Sequence, residues 1–125
     1  MEFSDRVPIY YQIKQYLYEQ IITKHLLPGE QLPAVRQLAV DLTVNVNTVQ
    51  RALSELIQEG VIIPQRGRGN FVTKDQATLA ELKNHVVQAQ LAWLYDHLAA
   101  LELTPSQMQA AFSAYVAAQQ EDRHG

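Results

Sequence analysis

The sequence predicts a mostly α-helical chain with one small β-hairpin. Three observations carry this. Apolar residues recur every three or four positions along five separate stretches, the period of a helix with one buried face. One segment, VIIPQRGRGNFVT at residues 61–73, instead sets two short apolar runs around a Gly-containing tip, the pattern of a hairpin with a longer loop. Helix starts and stops are signposted between the stretches, for example by Thr104-Pro105-Ser106-Gln107 at one start and Gly60 at one end.

The first helix opens near Pro8, whose missing N–H costs nothing in a first turn, and Ser4 or Asp5 can satisfy the neighbouring orphan donors. Ile9, Ile13, Leu17 and Ile21 repeat every four residues, with Tyr16 beside them, and carry the helix to about Thr23. Leu27-Pro28-Gly29 then makes a turn. Leu32-Pro33 opens a second helix with Val35, Leu38, Ala39 and Leu42 on its inner face, and Thr43-Val44 is a short turn. Asn45 is a good N-cap for a third helix, in which Val49, Ala52, Leu53, Leu56 and Ile57 face inward. Gly60 closes it in the left-handed conformation. Two helices joined by so short a turn, the second rich in amides at its start, describe a helix-turn-helix. Val61-Ile62-Ile63 and Asn70-Phe71-Val72-Thr73 are the strands of the hairpin, and Gln65-Arg66-Gly67-Arg68-Gly69 is its tip. Three helices followed by such a hairpin make a winged helix.

A long helix follows from Gln76 to about Leu101 with two adjoining apolar stripes: Leu79, Leu82, Val86, Ala89 and Trp93, then Val87, Leu91, Leu94, Leu98 and Leu101. So wide an apolar face needs more than one neighbour. The last helix starts at a capping box, with Leu103 and Met108 placed as a hydrophobic staple. It carries Met108, Ala111, Phe112 and Tyr115 inward and frays in EDRHG. Two helices cannot enclose a ligand cavity of ordinary size. Their apolar faces also exceed what one short neighbour can cover, and a second copy of the chain is the economical solution. Leu79, Leu82, Val86, Val87, Leu91, Trp93, Leu94, Leu98, Leu101, Met108, Phe112 and Tyr115 are therefore the expected dimerisation residues.

Charge divides the chain at the same place as pattern does. Residues 1–74 hold eight Lys/Arg against seven Asp/Glu, whereas residues 75–125 hold two against six, which together make the overall −3. The expected organisation is an N-terminal winged helix-turn-helix over 1–74 and a two-helix dimerisation tail over 75–125. At 125 residues this is one domain, or one small domain with an appendage. The absence of cysteine excludes a disulfide framework or a thiolate metal site and fits a reducing compartment. The N-terminus has no signal-like apolar core, and no stretch approaches the roughly 20 apolar residues of a membrane span. A cytoplasmic protein without membrane contact is expected.

The third helix carries the chemistry. In VNVNTVQRAL, residues 44–53, the outward residues are Asn45, Asn47, Thr48, Gln50 and Arg51, with no acid and no lysine. Asn and Gln can bridge adenine, Arg can fork onto guanine, and Thr can meet a base edge or a phosphate. All five lie in the first two turns, where a recognition helix meets the major groove and where free N–H groups favour phosphate oxygens. Arg66 and Arg68 on the wing suit backbone or minor-groove contacts. Asn45 has a second reading as a cap only, and an amide-rich face also occurs on solvated surfaces. The partner these residues describe is double-stranded DNA.

Enzymatic chemistry is not legible. His25, His85, His97 and His124 sit on different segments without metal-ligand spacing and read as surface or interface imidazoles. Gly67 and Gly69 open no helix and lack a phosphate-loop lysine, and Ser54, Ser106 and Ser113 have no nucleophile context. Trp93 and Tyr95 read as interface aromatics, with a small-molecule crevice between protomers as the second reading. Tyr10, Tyr11, Tyr16 and Tyr18 read as packing between the first helix and the tail. No cofactor or metal is expected from these residues, and a small-molecule effector is not written in them.

The runs PIYYQIKQYL, LPGEQLPAVRQLAVDL and VNVNTVQRALSELIQEGVIIPQRGRGNFV resemble the winged-helix domain of GntR-type bacterial transcription regulators over residues 8–72. The V-N-x-N-T-V signature and the short tail resemble the YtrA subfamily. The resemblance implies that the tail is a dimerisation module, since the chain is too short for the effector-binding or aminotransferase-like domains of larger subfamilies. It further implies that Arg36 is the second-helix arginine that reaches DNA. Asn47 and Thr48 match the polar pair of the recognition helix, and Gln50 the frequently basic position after it. Gly67 matches the wing-tip glycine that lets backbone approach the minor groove. Two positions depart from the pattern. Val46 stands where many members have a base-contacting Arg, and Lys24-His25 where a glycine usually ends the first helix. The function implied is a dimeric repressor that occludes a promoter at a palindromic operator, controlling its own operon or a transporter operon. The alternative is a winged helix used for protein–protein assembly without a specific DNA site. Arg36, Arg51, Arg66 and Arg68 argue against it, because such a module need not gather arginines along one edge.

Overall fold

The computed structural model describes residue 3 and residues 6–124, except the side chain of His124. Ser4 and Asp5, expected to help cap the first helix, and the His124 imidazole lie outside the described residues. Among the described residues the elements run α1 (Ile9–Ile22), α2 (Val35–Leu42), α3 (Val46–Gln58), β1 (Ile62–Gln65), β2 (Gly69–Val72), α4 (Gln76–Ala100) and α5 (Pro105–His124). The class is mostly α with a two-stranded hairpin, as expected. Two compact units divide the chain, Met1–Val86 and Val87–Gly125. The expected boundary at Lys74-Asp75 lies earlier. Composition changes where the hairpin ends, yet the first turns of α4 still bury apolar surface in the first unit.

The core of that unit is a single cluster. Ile13, Leu17 and Ile21 come from α1, Leu38 and Leu42 from α2, and Val49, Leu53 and Leu56 from α3. Ile62 and Val72 on the strands, Leu32 ahead of α2 and Leu82 on α4 complete it. Pro8 stands at the N-cap of α1, just outside the helix, and Ile9 is exposed rather than part of the inner stripe. At Lys24, where GntR-type domains usually end this helix with a glycine, the backbone takes a left-handed φ of 64°. Leu32-Pro33 does not open α2. A residue before proline is driven to extended backbone, and the Leu32 N–H donates to Asn70 O at 2.8 Å while Gln31 bridges to Phe71. This segment lies along β2, and α2 begins at Val35. Thr43 makes the turn to α3 in the left-handed conformation. The Asn47 N–H donates to Asn45 Oδ1 at 2.7 Å, which makes Asn45 the cap of α3.

The hairpin is antiparallel, with Ile62 opposite Val72 and Gln65 opposite Gly69. At its tip the Arg68 N–H donates to Gln65 O at 2.9 Å and Gly67 has φ 75°. A signal at the start of α4 went unread in the sequence: Asp75 accepts from the Thr78 N–H and Oγ1 as an N-cap. The Thr78 hydroxyl, and then its N–H, hold the Asp75 carboxyl below the usual carboxylate range. In the second unit, Gln107 N–H donates to Thr104 Oγ1 at 3.2 Å and Thr104 N–H donates to Gln107 Oε1 at 2.9 Å, the expected reciprocal box. Met108 is buried and Leu94, Leu98 and Leu103 are half-buried. Ala111, Phe112 and Tyr115, expected inward, are exposed, because two helices have nothing further to cover them. The helix reaches His124 instead of fraying from Glu121.

A polar ladder joins α1 to α3. Tyr10, Lys14 and Tyr18 are spaced by four on α1, and Arg51 and Glu55 on α3 with Glu59 at its C-cap are likewise spaced by four, so each set lines one face. The Lys14 ammonium is buried and donates to Glu55 Oε1 at 3.0 Å and to Glu59 Oε2 at 2.7 Å. The Tyr18 hydroxyl donates to Glu59 Oε1. Arg51 sits over the Tyr10 ring at 3.7 Å and lies 3.8 Å from Glu55. Of the tyrosines expected to pack against the tail, Tyr10 and Tyr18 meet α3, Tyr16 is partly buried against the core, and Tyr11 and Tyr18 line a cleft beside the start of α4. Burial alone would lower the pKa of Lys14, but the bonds to Glu59 and Glu55 outweigh it and hold it above its ordinary 10.5. Burial, and then the bond to Glu59, hold Tyr18 above its ordinary 10.0.

Both groups bind their protons more tightly when folded, so the stability this linkage contributes is complete below the unfolded values and is lost as pH rises past them. Urea unfolding should therefore show a midpoint that keeps the full contribution of this network, independent of pH, near neutrality and falls as pH rises above about 10. Tyr18→Phe should make that alkaline fall shallower, and an unchanged slope would separate Tyr18 from it. For the cap, Asn45→Ala should cost about 1 kcal/mol in the same measurement, and Asn45→Asp should recover most of it.

Candidate nucleic-acid interface

Asn45 fixes where α3 begins, and the inner stripe from Val49 to Leu56 fixes how it is rotated. That rotation turns Asn47 and Gln50 outward. Both are exposed, and neither side chain has a hydrogen-bond partner among the described residues. Thr48 is half-buried, so it presents less of its side chain than Asn47 and Gln50 do. Asn45 is exposed, but its side-chain oxygen already accepts the Asn47 N–H, which leaves its NH₂ group to donate outward.

Arg36, in the first turn of α2, is exposed and unpaired among the described residues. With Val40, Val44 and Val46 it lines a shallow groove of about 530 Å³ between α2 and the start of α3. Val40 is 72% exposed and Val46 36%. Apolar side chains that open to solvent beside a free guanidinium form a surface able to meet thymine methyls and a guanine or phosphate together.

Arg51 behaves unlike the others. Its guanidinium is stacked on Tyr10 and leans toward Glu55, although the side chain remains 64% exposed. Stacking removes rotamer freedom and sets the direction of the remaining N–H donors. The partner Tyr10 was missed in the sequence, although the matched four-residue spacings of 10-14-18 and 51-55-59 were there to be read.

On the wing, Arg66 is exposed and meets no partner among the described residues, whereas Arg68 lies 5.6 Å from the Phe71 ring. A Cβ on Gly67 would meet nothing, so its requirement is conformational and the tip stays open to an approaching backbone. Gly69 was not singled out by sequence, yet its constraint is tighter. Its φ is 118°, and a Cβ there would lie 2.8 Å from Gln31 Nε2, which donates to Arg68 O at 2.7 Å. Gln31 thereby holds the wing against the segment ahead of α2. The first unit thus brings Arg36, Asn45, Asn47, Thr48, Gln50 and Arg51 together on α2 and α3, with Arg66, Gly67 and Arg68 on the adjoining hairpin of the same unit.

The expected dimerisation residues separate into two sets. Leu82 is buried in the core of the first unit, with Leu79 and Val86 half-buried against it, so their own chain already covers them. In the second unit Val87, Leu91, Trp93, Leu101, Phe112 and Tyr115 remain exposed, and a groove of about 400 Å³ runs between Leu91, Leu98 and Phe112. Trp93 stacks on His97 at 3.8 Å, and His97 Nδ1 lies 2.8 Å from Trp93 O. No described helix is long and apolar enough to cross a membrane.

Comparison with known proteins gives this surface its context. Residues 9–72 match the family model described as "Bacterial regulatory proteins, gntR family". The chain is 35% identical over 107 residues to the HTH-type transcriptional regulator YhcF of Bacillus subtilis, covering 86% of this chain and 88% of that one. It is 40% identical over 99 residues to the HTH-type transcriptional repressor YtrA of Bacillus subtilis, covering 77% and 76%. Among solved structures it superposes on a GntR family transcriptional regulator from Listeria monocytogenes with a TM-score of 0.82 at 31% identity, over 90% of this chain and 98% of the other. These relatives are transcription regulators rather than enzymes, and a pure assembly module is not favoured. The unpaired polar face of α3, carried on a winged helix of this family, belongs to a DNA-binding transcription regulator, and the chain is a member of the GntR family with YtrA-like character.

Proposed function

We propose that this regulator acts as a homodimer that binds a palindromic operator and represses transcription. The carrying observation is the outer face of α3, where Asn47 and Gln50 present free amide groups beside the unpaired guanidinium of Arg36. Amides and guanidinium left without partners at a helix start suit base edges in a major groove. Asn47, Thr48 and Gln50 read bases, with Arg36 at the neighbouring edge. Asn45 adds its NH₂ group, and Arg51, held by Tyr10, reaches a phosphate. Arg66 and Arg68 follow the backbone or minor groove, with Gly67 allowing close approach. The similarity to the repressor YtrA supports repression by promoter occlusion, and its own operon or a transporter operon is the proposed target. Cytoplasmic residence follows from that role.

The second copy docks through the apolar surface of the second unit. A symmetric pair would bury Leu91, Trp93, Leu94, Leu98, Leu101, Phe112 and Tyr115 of each chain, and Val87 and Met108 adjoin them. Leu79, Leu82 and Val86 act instead by rooting α4 in the first unit. Light scattering should report a dimer for the full chain. Leu91→Glu, at a site exposed in the single chain, should yield a folded monomer with much weaker operator binding, since two half-sites no longer act together. A monomeric parent chain would overturn the assignment. Ending the chain at Lys74 is a poorer test, because it strips Leu82 from the core.

Base reading is tested by selection from randomised DNA, run on the parent chain, Asn47→Ala and Val46→Arg. Asn47→Ala should cost about 1–3 kcal/mol on the best site and much less on non-specific DNA. Val46→Arg should shift one position of each half-site toward guanine. Arg66→Ala should weaken all sequences alike and reduce the salt slope by roughly one. Three identical sequence logos would show that α3 does not read bases.

A further inference from the structure

A cleft of about 360 Å³ in the first unit lies between α1, the end of α3 and the first turns of α4. That volume is at the small end of the range of about 300–1,000 Å³ for small-molecule sites. The floor is built from buried groups: Lys14, Tyr18 and Leu82. Glu59 closes one side, and Tyr11, Glu81 and His85 form the rim.

The charges decide what such a cleft can hold. Lys14 is its only ammonium, and Glu55 and Glu59 already bracket it at 3.0 and 2.7 Å. Glu59 is in turn occupied by Lys14 and the Tyr18 hydroxyl. Glu81, in contrast, carries a carboxylate with no hydrogen bond or ion pair among the described residues. An entering anion would meet two carboxylates, Glu59 and Glu81, against one buried ammonium that already gives two of its three donors to Glu55 and Glu59. A metal ion would find no convergent set, since no group of three His, Cys, Asp or Glu gathers among the described residues. An organic ammonium would find a free carboxylate at Glu81, the half-exposed ring of Tyr11 at the rim and apolar surface at Leu82. Aromatic rings attract cations through their faces, and a partly enclosed site strengthens both terms.

We propose that this cleft is a binding site for a small organic cation, with Glu81 as the counter-ion and Tyr11 as the aromatic wall. A ligand seated there would touch Lys14 and Glu59, the pair that holds the end of α3 against α1, and so would be placed to alter DNA affinity. That consequence rests on the reading of α3 proposed above, whereas the binding itself does not.

Calorimetric titration of the full chain without DNA tests the site. The probes are benzylamine and benzyltrimethylammonium, with benzoate and benzyl alcohol as anionic and neutral counterparts of similar shape. Either cation should bind saturably, and benzoate and benzyl alcohol should not. Glu81→Gln should weaken the cation at least tenfold while leaving the unfolding midpoint unchanged, because Glu81 has no partner to lose. Glu121→Gln, which removes the same charge from α5, should have no effect. Tyr11 and His85 resonances should shift on saturation in an NMR titration. The proposal is overturned if neither cation binds at concentrations up to about 10 mM, if benzoate binds as well as benzylamine, or if Glu81→Gln leaves the affinity intact.

Discussion

Lys14 brings a positive charge from α1 into the seam with α3 and gives it to two carboxylates, Glu55 and Glu59, on successive turns. Buried ionic groups contribute little net stability, because desolvation offsets most of the attraction, but an unpaired one is costly. That asymmetry sets register. If α3 slid or rotated on α1, the apolar cluster could re-form in approximate ways, whereas Lys14 would lose its partners. Arg51 over Tyr10 at one end and Tyr18 on Glu59 at the other extend the same constraint along the seam. With the inner stripe from Val49 to Leu56, the ladder holds Asn47 and Gln50 outward, since the helix that carries them cannot turn without breaking it.

The candidate interface thus combines two kinds of arginine. Arg36 and Arg66 have no partner among the described residues and are available to a ligand. Arg51 and Arg68 rest on Tyr10 and Phe71, which limits their motion before any partner arrives. A pre-oriented side chain loses less entropy on binding than a free one. The wing is held on the same principle: Gln31 ties the turn carbonyl of Arg68, and position 69 beside it has a φ of 118° that favours glycine.

The helix α4 serves two neighbours in succession. Leu82, with Leu79 and Val86, anchors its start in the first unit, and Asp75 caps it. From Val87 onward its apolar side chains are largely exposed, apart from Leu94 and Leu98, which are half-buried.

The sequence by itself determined the element order, the cap at Asn45, the capping box at Thr104 and the amide-rich face of α3. Each depends on residues within a few positions of one another, where local hydrogen bonding and helical periodicity decide the outcome. It also held the four-residue spacings of the Tyr10-Lys14-Tyr18 and Arg51-Glu55-Glu59 rows, but spacing cannot say which row faces which. Only the tertiary structure decided that Lys14 is buried, that Leu32 lies along β2 instead of opening a helix, and that Leu82 belongs to the core and not to the exposed tail. In all three cases the partner is far away in sequence, at Glu55 and Glu59, at Asn70, and in the core built from α1, α2 and α3. An apolar stripe states that a face will be covered; which neighbour covers it is settled by packing across the whole unit.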